Sequence, residues 1–413
     1  MERHIVHCDL DSFFVSVERL LNSKLHGRPV LIGGLGDRAV VASCSYEARR
    51  YGIHSAMPMK LALRLCPEAI VVRGDHDLYS RYSRVVTEIL EESAPLVEKA
   101  SIDEHYFDLT GMDRFFGCWK WTQELRQRII HETGLPISFG LSANKTVSKV
   151  ATGEAKPCGE RKVDGGAEKA FLAPLSIRKI PMVGEKSYTL LRNMGISKCL
   201  TLQQMDVFTL RRVLGENGVS IWRKANGEDD SPVVPFREQK SMSKETTYQQ
   251  DTIDMEVLKR TLIGMVDALA YDLRKEKKLT GCITLKIRYS NFDTHTQQVS
   301  IPYTNSDRAI TAKVMELFRK LYSRRMLIRL IGIRFSNLIY GAYQVDLFND
   351  TQEEMRLMEA MDHIRSRYGL QYISRGICLP DGEQERRERR GERRIAPQSG
   401  EGKQGGKDAA QFT

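Results

Sequence analysis

Two acidic runs interrupt segments that otherwise read as buried β-strand, and they constrain any fold of this chain. The first, Asp9-Leu10-Asp11, closes the apolar run Ile5-Val6-His7-Cys8. The second, Asp103-Glu104, lies inside the strand-like stretch 102–109. A carboxylate at the apolar end of a strand is costly to bury unless something pairs with it. A divalent metal is one such partner, since carboxylate oxygens suit hard cations. Two metal ions held by several carboxylates can activate a hydroxyl and stabilise a leaving phosphate. The plainer reading is that Asp9 or Asp11 caps the following helix and that Asp103 and Glu104 lie on an exposed strand face. Spacing alone leaves both open.

The rest of the chain alternates short strands with amphipathic helices in an uneven order. The patterns predict strands at 4–9, 29–34, 39–43, 102–109 and 137–142, with helices at 11–24, 46–51, 60–65, 77–92, 119–133 and 142–155. From 175 to about 226 the pattern is short and helical, and Pro232 and Pro235 mark a boundary. Residues 241–343 read as a second α+β domain, with strands at 282–289, 297–301 and 330–338 and helices at about 255–276 and 307–324. Residues 351–367 read as a further helix. This order predicts an α+β multi-domain protein with mainly antiparallel sheets. Glu383 to Arg394 holds six arginines and four glutamates, and is expected to be disordered with the Gly/Gln-rich end.

Charge is localised. The chain carries 63 Lys and Arg against 53 Asp and Glu, net +10, and residues 236–343 account for most of it with 19 basic and 11 acidic residues. A basic domain beside near-neutral ones reads as an electrostatic footprint for nucleic acid, or as a solvated basic surface. No window approaches the ~18 unbroken apolar residues of a membrane helix, and the N-terminus runs into a strand without the pattern of a signal peptide. The eight cysteines never come closer than 22 positions. CxxC metal or redox pairs are thereby excluded, and scattered thiols fit a reducing cytoplasm.

Cations accompany the acids. Tyr46 and Arg49 lie three apart at a helix start, hence on one face, and Lys156 sits in a loop that closes a helix. A cationic set beside a carboxylate–metal site is what a triphosphate needs. Plain surface charge is the alternative.

Taken together, Cys8-Asp9-Leu10-Asp11-Ser12-Phe13-Phe14, Ser45-Tyr46-Glu47-Ala48-Arg49, Ala100-Ser101-Ile102-Asp103-Glu104 and Ala155-Lys156-Pro157-Cys158-Gly159 resemble the Y-family DNA polymerases in order and spacing. Residues 240–248 resemble the start of the little finger in that family's DNA polymerase IV branch, and the likeness covers about residues 4–380. The resemblance implies a right-hand polymerase with a ferredoxin-like palm (1–10 and 77–165), small fingers (11–76), a helical thumb with a helix-hairpin-helix (166–235) and an α+β little finger (236–343). It implies a sliding-clamp-binding peptide (344–348), a helical extension (349–380) and a disordered charged tail (381–413).

The same resemblance makes Asp9, Asp103 and Glu104 the catalytic, metal-binding acids, with the Leu10 carbonyl as an extra ligand for two Mg2+ ions. Asp11 matches no invariant catalytic acid and is taken as a helix cap. Phe13, Phe14, Ser43, Tyr46, Arg49 and Lys156 become substrate-binding residues, with Phe14 the steric gate that excludes a ribose 2′-OH. Ala42, Ser55 and Ala56 form a small roof over the nascent base pair, and a small roof weakens steric checking. Gln344, Leu347 and Phe348 are the clamp contacts. The thumb segment Pro181-Met182-Val183-Gly184 would offer backbone N–H groups to a phosphate. The implied activity is error-prone translesion synthesis by a cytoplasmic monomer on primer-template DNA with dNTPs. Two departures stand out: His105 replaces a small or apolar residue, and Ser43 the commoner threonine. Other readings are a UmuC-like catalytic subunit dependent on partners, a nucleotidyl cyclase, or a non-catalytic clamp and DNA adaptor.

Overall fold

The computed structural model describes residues 3–112, 117–341 and 352–378. They fall into two units, 1–238 and 239–413.

The first unit begins with β1 (Ile5–Leu10), α1 (Phe13–Leu21), β2 (Val30–Gly33), β3 (Val41–Cys44), α2 (Tyr46–Arg49), α3 (Met59–Leu65) and β4 (Ile70–Val72). It continues with α4 (His76–Ser93), β5 (Val97–Lys99), β6 (Glu104–Asp108), α5 (Cys118–Thr133), β7 (Ile137–Ser142), α6 (Lys145–Ala155) and β8 (Glu160–Lys162). Five helices follow: α7 (Glu168–Leu172), α8 (Glu185–Asn193), α9 (Cys199–Gln204), α10 (Val207–Leu214) and α11 (Glu216–Ala225).

Strand β1 is central in a five-stranded sheet of order β5-β6-β1-β7-β8, antiparallel except for β7 with β8. Side chains alternate across it. Val6, Cys8 and Leu10 enter a core with Val86, Leu90, Leu125 and Ile129 of α4 and α5, while His7 faces α6 and shares a 2.9 Å hydrogen bond with Thr152. Asp9 therefore emerges on the α6 face, and Glu104 directly opposes it on β6. Helix α6 lies close over the sheet because residue 140 is glycine. A Cβ there would stand 2.2 Å from the Ser148 carbonyl oxygen and 2.6 Å from the Thr152 nitrogen.

A second sheet, β3-β2-β4, has its own core of Leu31, Val41, Cys44, Ile53, Met57 and Met59. Helices α7 to α11 enclose a third core with Val147, Val150 and Ala151 of α6.

The second unit holds β9 (Ser241–Thr252), α12 (Met255–Lys275), β10 (Lys278–Tyr289), β11 (Thr294–Thr304), α13 (Asp307–Leu321), β12 (Ile328–Tyr340) and α14 (Gln352–Tyr368). Its sheet, β11-β10-β12-β9, is fully antiparallel. Ile283, Leu285, Ile287, Ile331, Ile333 and Phe335 pack under α12 and α13. By alternation the opposite face carries Lys286, Arg288 and Arg334 among Ser243, Thr284, Thr296 and Gln298.

Most predicted elements recur within a few residues. The helix expected over 11–24 is shorter, Phe13–Leu21 followed by a separate 3-10 turn. Asp11 does not cap it: Ser12 is the N-cap, left-handed at φ 44° and without a side-chain cap bond. Strands β4, β5, β8 and β9 went unread. The first three are three residues long, too short to show a period, and in β9 Met242 alone is buried. The clamp peptide 344–348 and the tail 381–413 lie outside the described residues. Of the extension 349–380, residues 352–378 are described and helical over α14. Among the described residues, no helix is long and apolar enough to cross a membrane.

Candidate active site

The ends of β1 and β6 bring the acids to one edge of the sheet. Asp9 opposes Glu104 in register, and the Leu10 N–H donates to the Asp103 carbonyl at 3.0 Å. Two lysines of the α6 segment meet them. Lys156 Nζ is 2.5 Å from Asp9 Oδ1, and Lys149 Nζ is 2.5 Å from Glu104 Oε2. Lys149 and Lys156 are seven residues apart, two turns, and so share one face of the helix and its C-cap. Asp103 is turned toward Ser101, whose hydroxyl donates to it at 2.6 Å.

The carboxylates differ in character. Burial raises the Asp9 carboxyl to about 7, Lys156 opposing the rise and Asp103 and Glu104 adding to it. Burial acts on Glu104 in the same sense, but neighbouring His7 and the Lys149 ammonium outweigh it and hold that carboxyl at about 2. His7 is itself pushed down to about 4, chiefly by burial, so the ring 3.9 Å from Glu104 is neutral at pH 7. His105 points the other way. It opposes Cys8, faces α4 and shares a 2.9 Å hydrogen bond with Thr87. Burial, then Lys99, pushes it down to about 3, so it neither faces the acids nor titrates near neutral pH.

Among the described residues no three His, Cys, Asp or Glu side chains converge on one point as a metal cluster. The expected triad stands at adjacent strand ends, but Asp9 and Glu104 each hold an ammonium and Asp103 holds a hydroxyl. The donors are oxygen only, and two of them already balance a cation. That chemistry fits a hard divalent ion.

Tyr46 and Arg49 are carried by α2, which Ser45 caps by accepting from the Ala48 N–H. The Arg49 guanidinium lies 4.8 Å from the centre of the Tyr46 ring, and the Tyr46 hydroxyl donates to Asp11 at 2.9 Å. Ser43, half-buried on β3, pairs with Ile32. Ala42, Ser55 and Ala56 are exposed, and β3 meets the 55–57 turn through the Ala56 N–H on the Val41 carbonyl. Phe14 stacks on Tyr79 at 4.3 Å, and Tyr79 is tied by its hydroxyl to Glu18 at 2.6 Å, so the ring is held in place. Phe13, expected to bind substrate, is 2% exposed and lies in the core that holds Val6, Cys8 and Leu10.

Residues that the sequence reading missed are Lys149, His7 and Ser138, together with the part taken by Asp11. The seven-residue spacing of Lys149 from Lys156 was the available signal. The others depend on strand pairing.

In comparisons with known proteins, the family model described as "impB/mucB/samB family" matches residues 8–153, and its C-terminal domain model matches 239–347. A protein named DNA polymerase IV from Dehalococcoides mccartyi is 35% identical over 91% of this chain and 97% of its own length. One of the same name from Methanoculleus marisnigri is 36% identical over 82% and 95%. Among solved structures, a Y-family DNA polymerase chimera superposes with a TM-score of 0.73 at 24% identity, covering 82% of this chain and all of its own.

Proposed function

We infer the working of this chain from its membership: it belongs to the impB/mucB/samB family, the Y-family DNA polymerases, in their DNA polymerase IV branch, and is a DNA-directed DNA polymerase of translesion synthesis. The reaction joins the primer 3′-oxygen to the α-phosphorus of a dNTP and breaks the bond to the leaving pyrophosphate. Asp9, Asp103 and Glu104, with the Leu10 carbonyl, are the groups that would hold two Mg2+ ions. Such ions, when bound, favour the deprotonated hydroxyl and neutralise phosphate charge. Lys156, Tyr46, Arg49 and Ser43 bind and orient the triphosphate. Phe14, braced on Tyr79, excludes a 2′-OH. The exposed roof of Ala42, Ser55 and Ala56 leaves room for an altered template base.

The observation that carries this reading is the pairing of Asp9 with Lys156 and of Glu104 with Lys149 at one sheet edge. Acids that can hold a cation there stand within reach of cations that can hold a phosphate. In the second unit, Lys286, Arg288 and Arg334 would run along a duplex backbone, giving salt-sensitive binding indifferent to sequence. We assign palm, fingers, thumb and little finger to the ranges expected from the sequence, residues 344–348 to a sliding clamp, and a cytoplasmic monomer as the working form.

The test is extension of a primed template by the full chain with four dNTPs and Mg2+. The reading expects extension that disappears in Asp103→Ala/Glu104→Ala protein. Folded, DNA-binding protein that extends nothing would refute it.

A further inference from the structure

Asp11 carries no catalytic assignment, yet it is 2% exposed and its carboxylate accepts three hydrogen bonds from three separate segments. The Tyr46 hydroxyl of α2 donates to Oδ1 at 2.9 Å. The Ser138 hydroxyl of β7 and the Cys158 main-chain N–H both donate to Oδ2 at 2.7 Å. Ser138 Oγ in turn accepts the Gly159 N–H at 3.2 Å. Two successive amides of the turn that carries Lys156 thus end on one carboxylate and its hydroxyl partner. The turn needs such anchoring. Cys158 is left-handed at φ 48°, and a Cβ at Gly159 would stand 2.0 Å from the Ala155 carbonyl oxygen. On its far side Arg126 donates to the Cys158 carbonyl at 2.5 Å. The main chain of Asp11 is equally fixed: its N–H donates to the Pro136 carbonyl at 2.9 Å, and its carbonyl accepts the Ser16 hydroxyl at 2.7 Å.

We propose that Asp11 is a positioning residue for the incoming nucleotide, holding Tyr46 and the 155–159 turn at a fixed separation so that Tyr46 and Lys156 meet one triphosphate. It touches neither substrate nor metal and acts through those two groups. The proposal rests on the polymerase reading above. A buried carboxylate satisfied by three donors is rigid, and losing it leaves two hydroxyls and an amide without their acceptor. Displacing groups that orient a substrate by about 1 Å is enough to cost on the order of 100-fold. An amide in place of the carboxylate keeps the geometry: its oxygen can accept from Ser138 and Cys158 while its NH2 donates to a Tyr46 hydroxyl turned acceptor.

The experiment has two arms. In the first, amide hydrogen exchange is followed in the protein without nucleotide. Asp11→Ala should lose protection at residues 158 and 159, and Asp11→Asn should keep it. Unchanged protection in Asp11→Ala overturns the anchoring, whatever the enzyme's activity. In the second, single-nucleotide addition is measured for Asp11→Ala, Asp11→Asn, Tyr46→Phe and the Asp11→Ala/Tyr46→Phe double variant. Asp11→Ala should raise KM for dNTP at least tenfold, with kcat within about threefold and primer-template Kd unchanged. Asp11→Asn should recover most of that loss. The double variant should be no worse than about threefold below the weaker single, because the effects share one path. Should Asp11→Ala fail to fold, Ser138→Ala replaces it, with a smaller rise in KM expected. Equal losses in the alanine and asparagine variants, fully multiplicative effects with Tyr46→Phe, or parallel loss of DNA affinity would each overturn the positioning role. A wild-type chain that adds no nucleotide would refute the polymerase reading and leave the exchange arm standing as the test of Asp11.

Discussion

Gly140→Ala tests whether the close seat of α6 sets the chemistry. One methyl group is added, in the middle of β7, where the new Cβ would stand 2.2 Å from the Ser148 carbonyl oxygen and 2.6 Å from the Thr152 nitrogen. Ordinary Cβ contacts begin at 3.4 Å. Both neighbours are main chain, so no side chain can swing aside, and the helix must retreat by roughly 1 Å in an interior packed like a crystal. Overpacking of this kind costs about 1–3 kcal/mol. The retreat also carries Lys149 and Lys156 away from Glu104 and Asp9, so activity should fall as well, by about 100-fold. Thermal unfolding gives the first quantity, and single-nucleotide addition at saturating DNA gives the second. A Gly140→Ala protein that melts with wild type and adds nucleotides at the wild-type rate would show that the lysines are not set by this contact.

Three further outcomes are expected. Asp9→Asn should stabilise the protein in EDTA above neutral pH. The Asp9 carboxyl is raised from its ordinary 3.8 to about 7, so the unfolded chain ionises first and wild-type stability falls as pH rises from about 4 to 7. The asparagine variant is spared this fall, with a gain of at most about 4 kcal/mol above pH 7. Equal pH profiles in denaturant titrations would contradict it. Arg365→Met should destabilise the second unit by about 3 kcal/mol. Arg365 is 1% exposed at its side chain and lies 3.5–4.0 Å from Asp267, Asp307 and Asp362, which Arg274 and Arg375 also bind. An unchanged melting curve would show that α14 is not pinned there. Phe14→Ala should raise the ratio of ribonucleotide to deoxynucleotide addition at least tenfold, read from kcat/KM for each. An unchanged ratio would remove Phe14 as the gate.

What the sequence disclosed follows from what each feature depends on. Helices α4, α5 and α12 are long enough to show a 3.6-residue period, and β7 is bounded by Pro136 and Asn144, so their limits were readable. The three-residue strands β4, β5 and β8 owe their existence to neighbours, and β9 is an edge strand with little apolar alternation. The acids stood out because charge is costly at strand ends. Their partners did not, because Lys149 and Ser138 are ordinary residues until pairing brings them opposite Glu104 and Asp11. Asp11 itself precedes a helix, which suggests a cap, and only the fold shows its carboxylate turned to three other segments. His105 was ambiguous for the same reason: strand alternation, not composition, sends it to α4 and away from Glu104. The aspartate–arginine set that ties α14 to α12 and α13 joins residues about 90 positions apart, beyond any local pattern.

The most direct measurement is extension by the full chain, with Mg2+ and dNTPs, of a primer whose template carries an abasic site at the first templating position. The account predicts insertion opposite the lesion and extension beyond it, with both steps lost in Asp103→Ala/Glu104→Ala protein. Full extension of an undamaged template, with no nucleotide added opposite the abasic site, would contradict a site built to tolerate damage.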